Sequence, residues 1–224
     1  MKSDIKKRKF LVILGIIFVL LTINQYNFSK NESNYDDNRE IRDETNLKKP
    51  KSSEFWDEND VSSIHISADN WSATDLPWIQ NQTGTWSDPH IIENVTIDGT
   101  GKTYGIFIEN SNDYFTIRNV SIYNVGTGGT WDAALKLVSS SNGIIINSNF
   151  SNNEQGILLR ASSNITISNN IASENTESGV YLASNSDYNV VSENYISENT
   201  NFGIYVSGNC DNNLIMKNTV LLNN

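Results

Sequence analysis

Ile167-Ser168-Asn169-Asn170-Ile171-Ala172-Ser173-Glu174-Asn175 and Val191-Ser192-Glu193-Asn194-Tyr195-Ile196-Ser197-Glu198-Asn199 decide the fold. Each runs aliphatic residue, asparagine, apolar residue, asparagine in one spacing. The same line reads Ile145-x-x-Ser148-x-Phe150-x-x-Asn153 before them and Ile215-x-x-Asn218-x-Val220-x-x-Asn223 after them. The first residues of the four lines are 22, 24 and 24 apart. A second line, Gly156-Ile157-x-Leu159, Gly179-Val180-x-Leu182 and Gly203-Ile204-x-Val206, repeats at 23 and 24. Tyr104-Gly105-Ile106-x-Ile108 and Ala134-Leu135-x-Leu137 are looser copies. Ile92-x-x-Val95-x-Ile97 and Ile117-x-x-Val120-x-Ile122 begin the series. A fixed period above about 20 residues marks a solenoid. Within each unit apolar and polar residues alternate over a few positions and then stop at Asn, Ser or Gly. That is the strand period, not the helical one. A leucine-rich repeat has this length but needs a leucine frame and a helical segment. The expected fold is therefore all-β, with three short strands per coil and a core closed by stacking coils.

Asparagine supplies 34 of the 224 residues. It forms helices poorly and turns well. In a parallel stack, equivalent residues lie about 4.8 Å apart, close enough for identical amides to hydrogen-bond along the column. Asn170, Asn194 and Asn218 make one expected ladder, and Asn153, Asn175, Asn199 and Asn223 another. Gly105, Gly156, Gly179 and Gly203 enter a strand from a turn, which suggests positive φ.

Strand alternation sends Ile157, Leu159, Val180, Leu182, Ile204 and Val206 inward. Phe107, Lys136, Leu158, Tyr181 and Tyr205 then form one outward column. Glu109, Val138, Arg160, Ala183 and Ser207 form the next. The connection from Tyr123 to Asp132 is the longest in the repeats and holds Gly126, Gly128, Gly129 and Trp131. Phe107, Trp131, Lys136, Arg160, Tyr181 and Tyr205 are the candidate ligand-binding residues.

Four basic residues, Lys6-Lys7-Arg8-Lys9, precede an apolar run from Phe10 to Ile23. The charge flank indicates export, with the basic end inside. Residues 1–28 read as a signal anchor, or alternatively a signal peptide. Residues 29–60 are polar and without apolar period, and read as a disordered linker. Residues 61–90 read as an N-terminal cap and 91–224 as the repeats. The expected location is membrane-anchored with an external domain, or secreted.

The repeats resemble the right-handed parallel β-helix superfamily, which includes pectate-lyase-like enzymes and NosD-like periplasmic proteins. Gly84-Thr85-Trp86-Ser87-Asp88-Pro89-His90-Ile91-Ile92-Glu93-Asn94-Val95-Thr96-Ile97-Asp98-Gly99 resembles the opening of many prokaryotic surface β-helix proteins. The resemblance covers Val61 to the C-terminus. It implies that the Gly-led strands form the first sheet and that the Asn170 column turns between the second and third sheets. It also implies polysaccharide handling along the first sheet, an expectation about function that a shared fold carries only weakly.

The net charge of −10 disfavours nucleic acid. Asp88-Pro89-His90 resembles the Asp-Pro-His-Asp motif of β-helix alginate epimerases, but the fourth residue is Ile91. His90 and His65 are therefore expected as cap residues. Two His, two Met and one Cys, all scattered, make no copper or zinc set. No cofactor motif is present. Glu174 and Glu198 share a register and are read as solvated. Cys210, the sole cysteine, is read as buried. Eight Asn-x-Ser/Thr sequons occur, at Asn27, Asn31, Asn70, Asn81, Asn94, Asn119, Asn149 and Asn164. The expected role is a non-catalytic surface β-helix that binds carbohydrate or a cell-envelope protein. A polysaccharide lyase or epimerase is the alternative, and a copper-accessory protein the third. Self-association through the last coil is a further expectation.

Overall fold

A computed structural model describes residues 63–68, 70, 71, 79, 80 and 82–224. The expected leader and linker lie outside the described residues. Among those described, no helix is long and apolar enough to cross a membrane.

The chain winds into a parallel β-helix. The first sheet stacks β1 (Ile64–Ser67), β5 (Tyr104–Glu109), β8 (Ala133–Val138), β10 (Ile157–Arg160), β12 (Ser178–Ala183) and β15 (Phe202–Ser207). The second stacks β2 (Ile79–Gln80), β3 (His90–Glu93), β6 (Phe115–Arg118), β9 (Gly143–Ile146), β11 (Thr166–Ser168), β13 (Val190–Ser192) and β16 (Leu214–Met216). The third side holds β4 (Thr96–Asp98) beside β7 (Ser121–Tyr123), and β14 (Tyr195–Ser197) beside β17 (Thr219–Leu221). Between those pairs it narrows to single bridges through Asn149 and Ile171. Every strand pairing is parallel except β2 with β3. The expected cap is thus partly sheet: β1 pairs with β5 as an ordinary first-sheet strand.

One core runs up the middle. Ile66, Ile92, Ile106, Ile117, Leu137, Ile145, Leu159, Ile167, Leu182 and Val191 are fully buried. Apolar burial of this kind stabilises by roughly 25 cal/mol per Å² removed from water. At the sheet edge Ile204 is only half-buried and Val206 is 39 % exposed, although both follow the inward alternation.

The asparagine columns lie inside the turns. Asn194 Oδ1 accepts from the Asn170 backbone N–H at 2.9 Å and from Asn170 Nδ2 at 3.1 Å. Asn194 Nδ2 donates to the Ile167 carbonyl and to Asn218 Oδ1, each at 2.9 Å. Asn153, Asn175, Asn199 and Asn223 repeat the pattern in the next turn. Each side chain therefore satisfies corner backbone groups as well as its neighbours' amides, which buried polar groups require. Asn189 and Asn213, with a serine column of Ser140, Ser162 and Ser186, do the same in the turn after the first sheet.

A second use of asparagine is visible at the corners. Twelve of the 22 non-glycine residues with positive φ are asparagine. A positive-φ residue stands directly before each ladder asparagine, as Asn169 does before Asn170 and Glu193 before Asn194. The left-handed residue turns the chain, and the next side chain then points inward. Asn tolerates that conformation better than most residues.

The strand-opening glycines need a different explanation from the one expected. Gly105, Gly156, Gly179 and Gly203 are not among the positive-φ residues. They are small because the core is close. A Cβ on Gly179 would lie 2.6 Å from Ile196 Cγ2 and 2.8 Å from the Gly203 carbonyl oxygen. On Gly105 it would lie 2.4 Å from Ile122 Cγ2.

Candidate ligand-binding face

Pairing in the first sheet fixes the outward columns. His65, Phe107, Lys136, Leu158, Tyr181 and Tyr205 align across successive strands. Glu109, Val138, Arg160, Ala183 and Ser207 align beside them. All six residues named from the sequence lie on this face or against it. Trp131 arrives from the long β7–β8 connection and stacks on Tyr181 at 5.9 Å between centroids and 11° between planes.

That connection is tied down along its length. Asp132 is buried, and its Oδ2 accepts from the Thr127 N–H and hydroxyl at 2.8 Å. Gln155 Nε2 donates to the Thr130 carbonyl at 2.8 Å, and the Gly128 N–H donates to Glu154 Oε2 at 2.9 Å. Gly126 has φ 138 and Gly128 φ 88, conformations that side chains resist. The loop glycines thus allow a tight fold over the sheet.

Leu158 departs from the expected open row. Its register points it outward, yet it is fully buried in a small cluster with Ala133, Ala183 and Tyr181. Alternation alone could not show this, because the cover comes from side chains of the neighbouring strands, Ala133, Ala183 and Tyr181.

The aromatic rings are arranged along the solenoid axis. Tyr181 lies 4.7 Å from Tyr205, and Tyr205 lies 4.5 Å from Phe202. At the other end His65 stacks on Phe107 at 4.7 Å and 3°, and its Nε2 lies 2.9 Å from Glu109 Oε1. These separations are near the coil rise of about 4.8 Å. The rings therefore pack against each other, and the Tyr181 hydroxyl lies 3.0 Å from Ser207 Oγ. The rings do not form a row of bare faces.

Two cations complete the face. Lys136 Nζ sits 5.3 Å from the Phe107 ring centroid. Burial holds its pKa below the usual lysine value; the carboxylates of Asp132 and Glu109 oppose this and the Arg160 charge adds to it. The Arg160 guanidinium lies 5.1 Å from the Trp131 centroid, is exposed, and forms no ion pair among the described residues. Burial raises the Glu154 carboxyl pKa, assisted by the nearby charges of Asp132 and Glu177 and opposed by the Gly128 N–H.

Other singled-out residues lie elsewhere. His90 is buried in the cap, stacked on Trp71 at 4.5 Å, with Nε2 3.2 Å from Asp113 Oδ2. Glu174 and Glu198 are exposed at left-handed corners. Cys210 is half-buried rather than buried, and its thiol donates to the Ser207 carbonyl at 3.1 Å. Among the described residues no three His, Cys, Asp or Glu side chains form a group able to hold a metal. The sequon residues Asn94, Asn119, Asn149 and Asn164 are exposed and lie outside the ladders.

A family model described as right handed beta helix region matches residues 78–224. No curated protein matches the chain. Among solved structures, a mutant of the periplasmic alginate epimerase AlgG is similar, with 22 % identity and a TM-score of 0.48. The match covers 57 % of this chain and 29 % of that one, so this chain spans less than a third of that structure.

Proposed function

The chain belongs to the right-handed β-helix family, and on that premise we propose that it is an extracytoplasmic, non-catalytic binding protein that holds an acidic polysaccharide along the outer face of its first sheet. The observation that carries this is Arg160, an unpaired guanidinium beside Trp131 on a face otherwise edged by tyrosine rings and hydroxyls. A guanidinium suits a carboxylate because it offers a planar fork of donors. Tyr181 and Tyr205 edges and Lys136 continue the contact along the axis, as a linear polymer requires. The whole chain is acidic, but charges beyond about 8–10 Å are screened at physiological salt; within that range Lys136 and Arg160 stand beside the carboxylates of Asp132 and Glu109. The basic-flanked apolar run at Phe10 to Ile23 supports delivery outside the cytoplasm.

The test is a titration of the full chain with polygalacturonate and alginate beside uncharged dextran. The uronate polymers bind, and binding weakens with salt. A Tyr181→Ala, Tyr205→Ala double variant and Arg160→Gln each weaken it at least tenfold while the fold persists. Unchanged binding in both variants places the ligand elsewhere.

A second reading, a uronate-cleaving or epimerising enzyme, draws on Lys136. An amine whose pKa is lowered by burial is a better base near neutrality than a free lysine. Incubation with the same polymers separates the readings. The binding protein leaves their length and sugar composition unchanged.

A further inference from the structure

The third side of the solenoid is interrupted where Asn149 and Ile171 take the place of strands. A shallow trough of about 500 Å³ opens there, against the turn from the second sheet. It spans three coils, and Val120 and Ser148 form its buried floor. Its rim is built from Asn119, Asn147, Asn149, Asn169, Ser121 and Ile171. None of these is ionisable. Asn147 and Asn169 are left-handed corner residues with φ 53 and 54, so their side chains stand outside the core. Asn149 is also exposed.

The contrast with the ladders is chemical. Asn170 and Asn194 use both ends of their amides within the protein. Among the described residues, the side-chain amides of Asn147, Asn149 and Asn169 have no hydrogen-bond partner, and all three side chains are exposed. Three carboxamides, each with an acceptor and two donors, thus face one trough without partners. Ile171, 45 % exposed, adds an apolar surface among them.

We infer that this trough is a second binding site, separate from the first-sheet face, for an uncharged, extended polyhydroxylated chain such as a neutral polysaccharide. Amides match hydroxyls because each group both gives and accepts a hydrogen bond. The apolar Ile171 surface suits the C–H face of a ring. Amides recurring at the coil rise of about 4.8 Å suit a ligand that runs along the axis. A charged ligand gains nothing here, since no rim residue carries a countercharge. An uncharged ligand also leaves few desolvated polar groups unmatched.

The test follows side-chain amide signals of the ¹⁵N-labelled protein during titration with cellohexaose, xylohexaose and mannohexaose, with a uronate hexamer as comparison. Asn147, Asn149 and Asn169 shift with at least one neutral sugar, while the ladder amides of Asn194 and Asn199 stay fixed. An Asn147→Gly, Asn169→Gly double variant removes two amides but keeps the left-handed corners unstrained. It weakens neutral binding roughly tenfold or more, with the melting curve showing an intact fold. Asn149→Ala, away from any left-handed corner, repeats the result independently. The proposal is overturned if no neutral sugar moves these signals, or if the variants bind as the native chain does. Shifts confined to the backbone amides of Tyr181, Tyr205 and Arg160 in the same spectra, with the uronate hexamer, overturn it too, while leaving the first-sheet reading standing. Mass spectrometry of protein from its native source covers a remaining outcome: a glycan attached at the sequons Asn119 or Asn149 overturns the proposal, because the trough then houses the protein's own modification.

Discussion

The seam between the second and third sheets and the outer face of the first are both columns of repeated residues, yet they hold together in opposite ways. In the seam, Asn170, Asn194 and Asn218 saturate buried donors and acceptors within the turn. On the face, His65 joins Phe107 and Tyr181 joins Tyr205 by ring contacts. A seam residue must supply an acceptor and donors at fixed positions, so few substitutes exist. A face residue must supply surface, so many do. Periodicity is therefore a sign of stacking in both places, but of strict chemical identity in only one.

The sharpest way to break that comparison is Asn194→Ala. It strands the Asn170 backbone N–H and the Ile167 carbonyl inside the turn. The expected cost is about 3 kcal/mol, read as a fall of several degrees in the melting temperature. Asn201→Ala removes an exposed-side contact to Glu177 and is expected within about 0.5 kcal/mol of native. Equal shifts for the two would remove the distinction between seam and surface.

Gly179→Ala comes next. Its new Cβ meets two carbonyl oxygens and Ile196, which backbone packing leaves little room to relieve. About 2 kcal/mol is expected from overpacking. Gly101→Ala, where nothing lies within 4 Å, bears only the strain of φ +72 and is expected to cost less. Denaturant midpoints measure both.

On the face the effects shrink. Trp131→Ala removes one stacked pair and opens the cover near Leu158, for about 1 kcal/mol. Hydrogen exchange is expected to accelerate in the 124–132 connection and not in the seam. Uniform acceleration in both regions would show that they do not unfold independently.

The smallest effect is electrostatic. The Glu154 carboxyl pKa is raised above its ordinary 4.5 by burial. Below that value folded and unfolded chains are both protonated. As pH rises through the folded pKa, the unfolded chain ionises first and that contribution to stability is lost. Glu154→Gln retains an acceptor for the Gly128 N–H and avoids the loss. Relative to the native chain it should melt slightly higher at pH 7 than at pH 4. The side chain is only half-buried and still reaches solvent, so the difference is small.

The sequence disclosed what repeats and concealed what covers. That Ile145, Ile167, Val191 and Ile215 share one column and Asn170, Asn194 and Asn218 another follows from spacing, while the turn between the second and third sheets was implied by the resemblance. Five of the six candidate face residues also stand where alternation put them, and Trp131 joins them from the β7–β8 connection. The left-handed corners were legible in principle, because doublets such as Asn152-Asn153 and Asn169-Asn170 place a turning residue before a ladder residue. Reading asparagine only as a hydrogen-bonding side chain missed its backbone role. The glycine column was seen but assigned to positive φ, since a one-dimensional pattern does not reveal how near Ile122 or Ile196 comes. Burial of Leu158 and the axial stacking of the tyrosines depend on how neighbouring side chains and rings are oriented, which a residue period does not encode.

The ladder bonds have a direction, and heredity can exploit it. Asn170 donates forward to Asn194, and Asn194 donates forward to Asn218 and back to a carbonyl of the preceding coil. Every coil thus offers its successor the same set of groups that it received. A duplicated stretch of 24 residues, the ladder interval from Asn170 to Asn194, would meet its own complement on both sides. No new pair of matching residues would have to arise. Length in such a molecule is a matter of copy number, open to change by recombination within the gene, while the surface of each copy remains free to diverge.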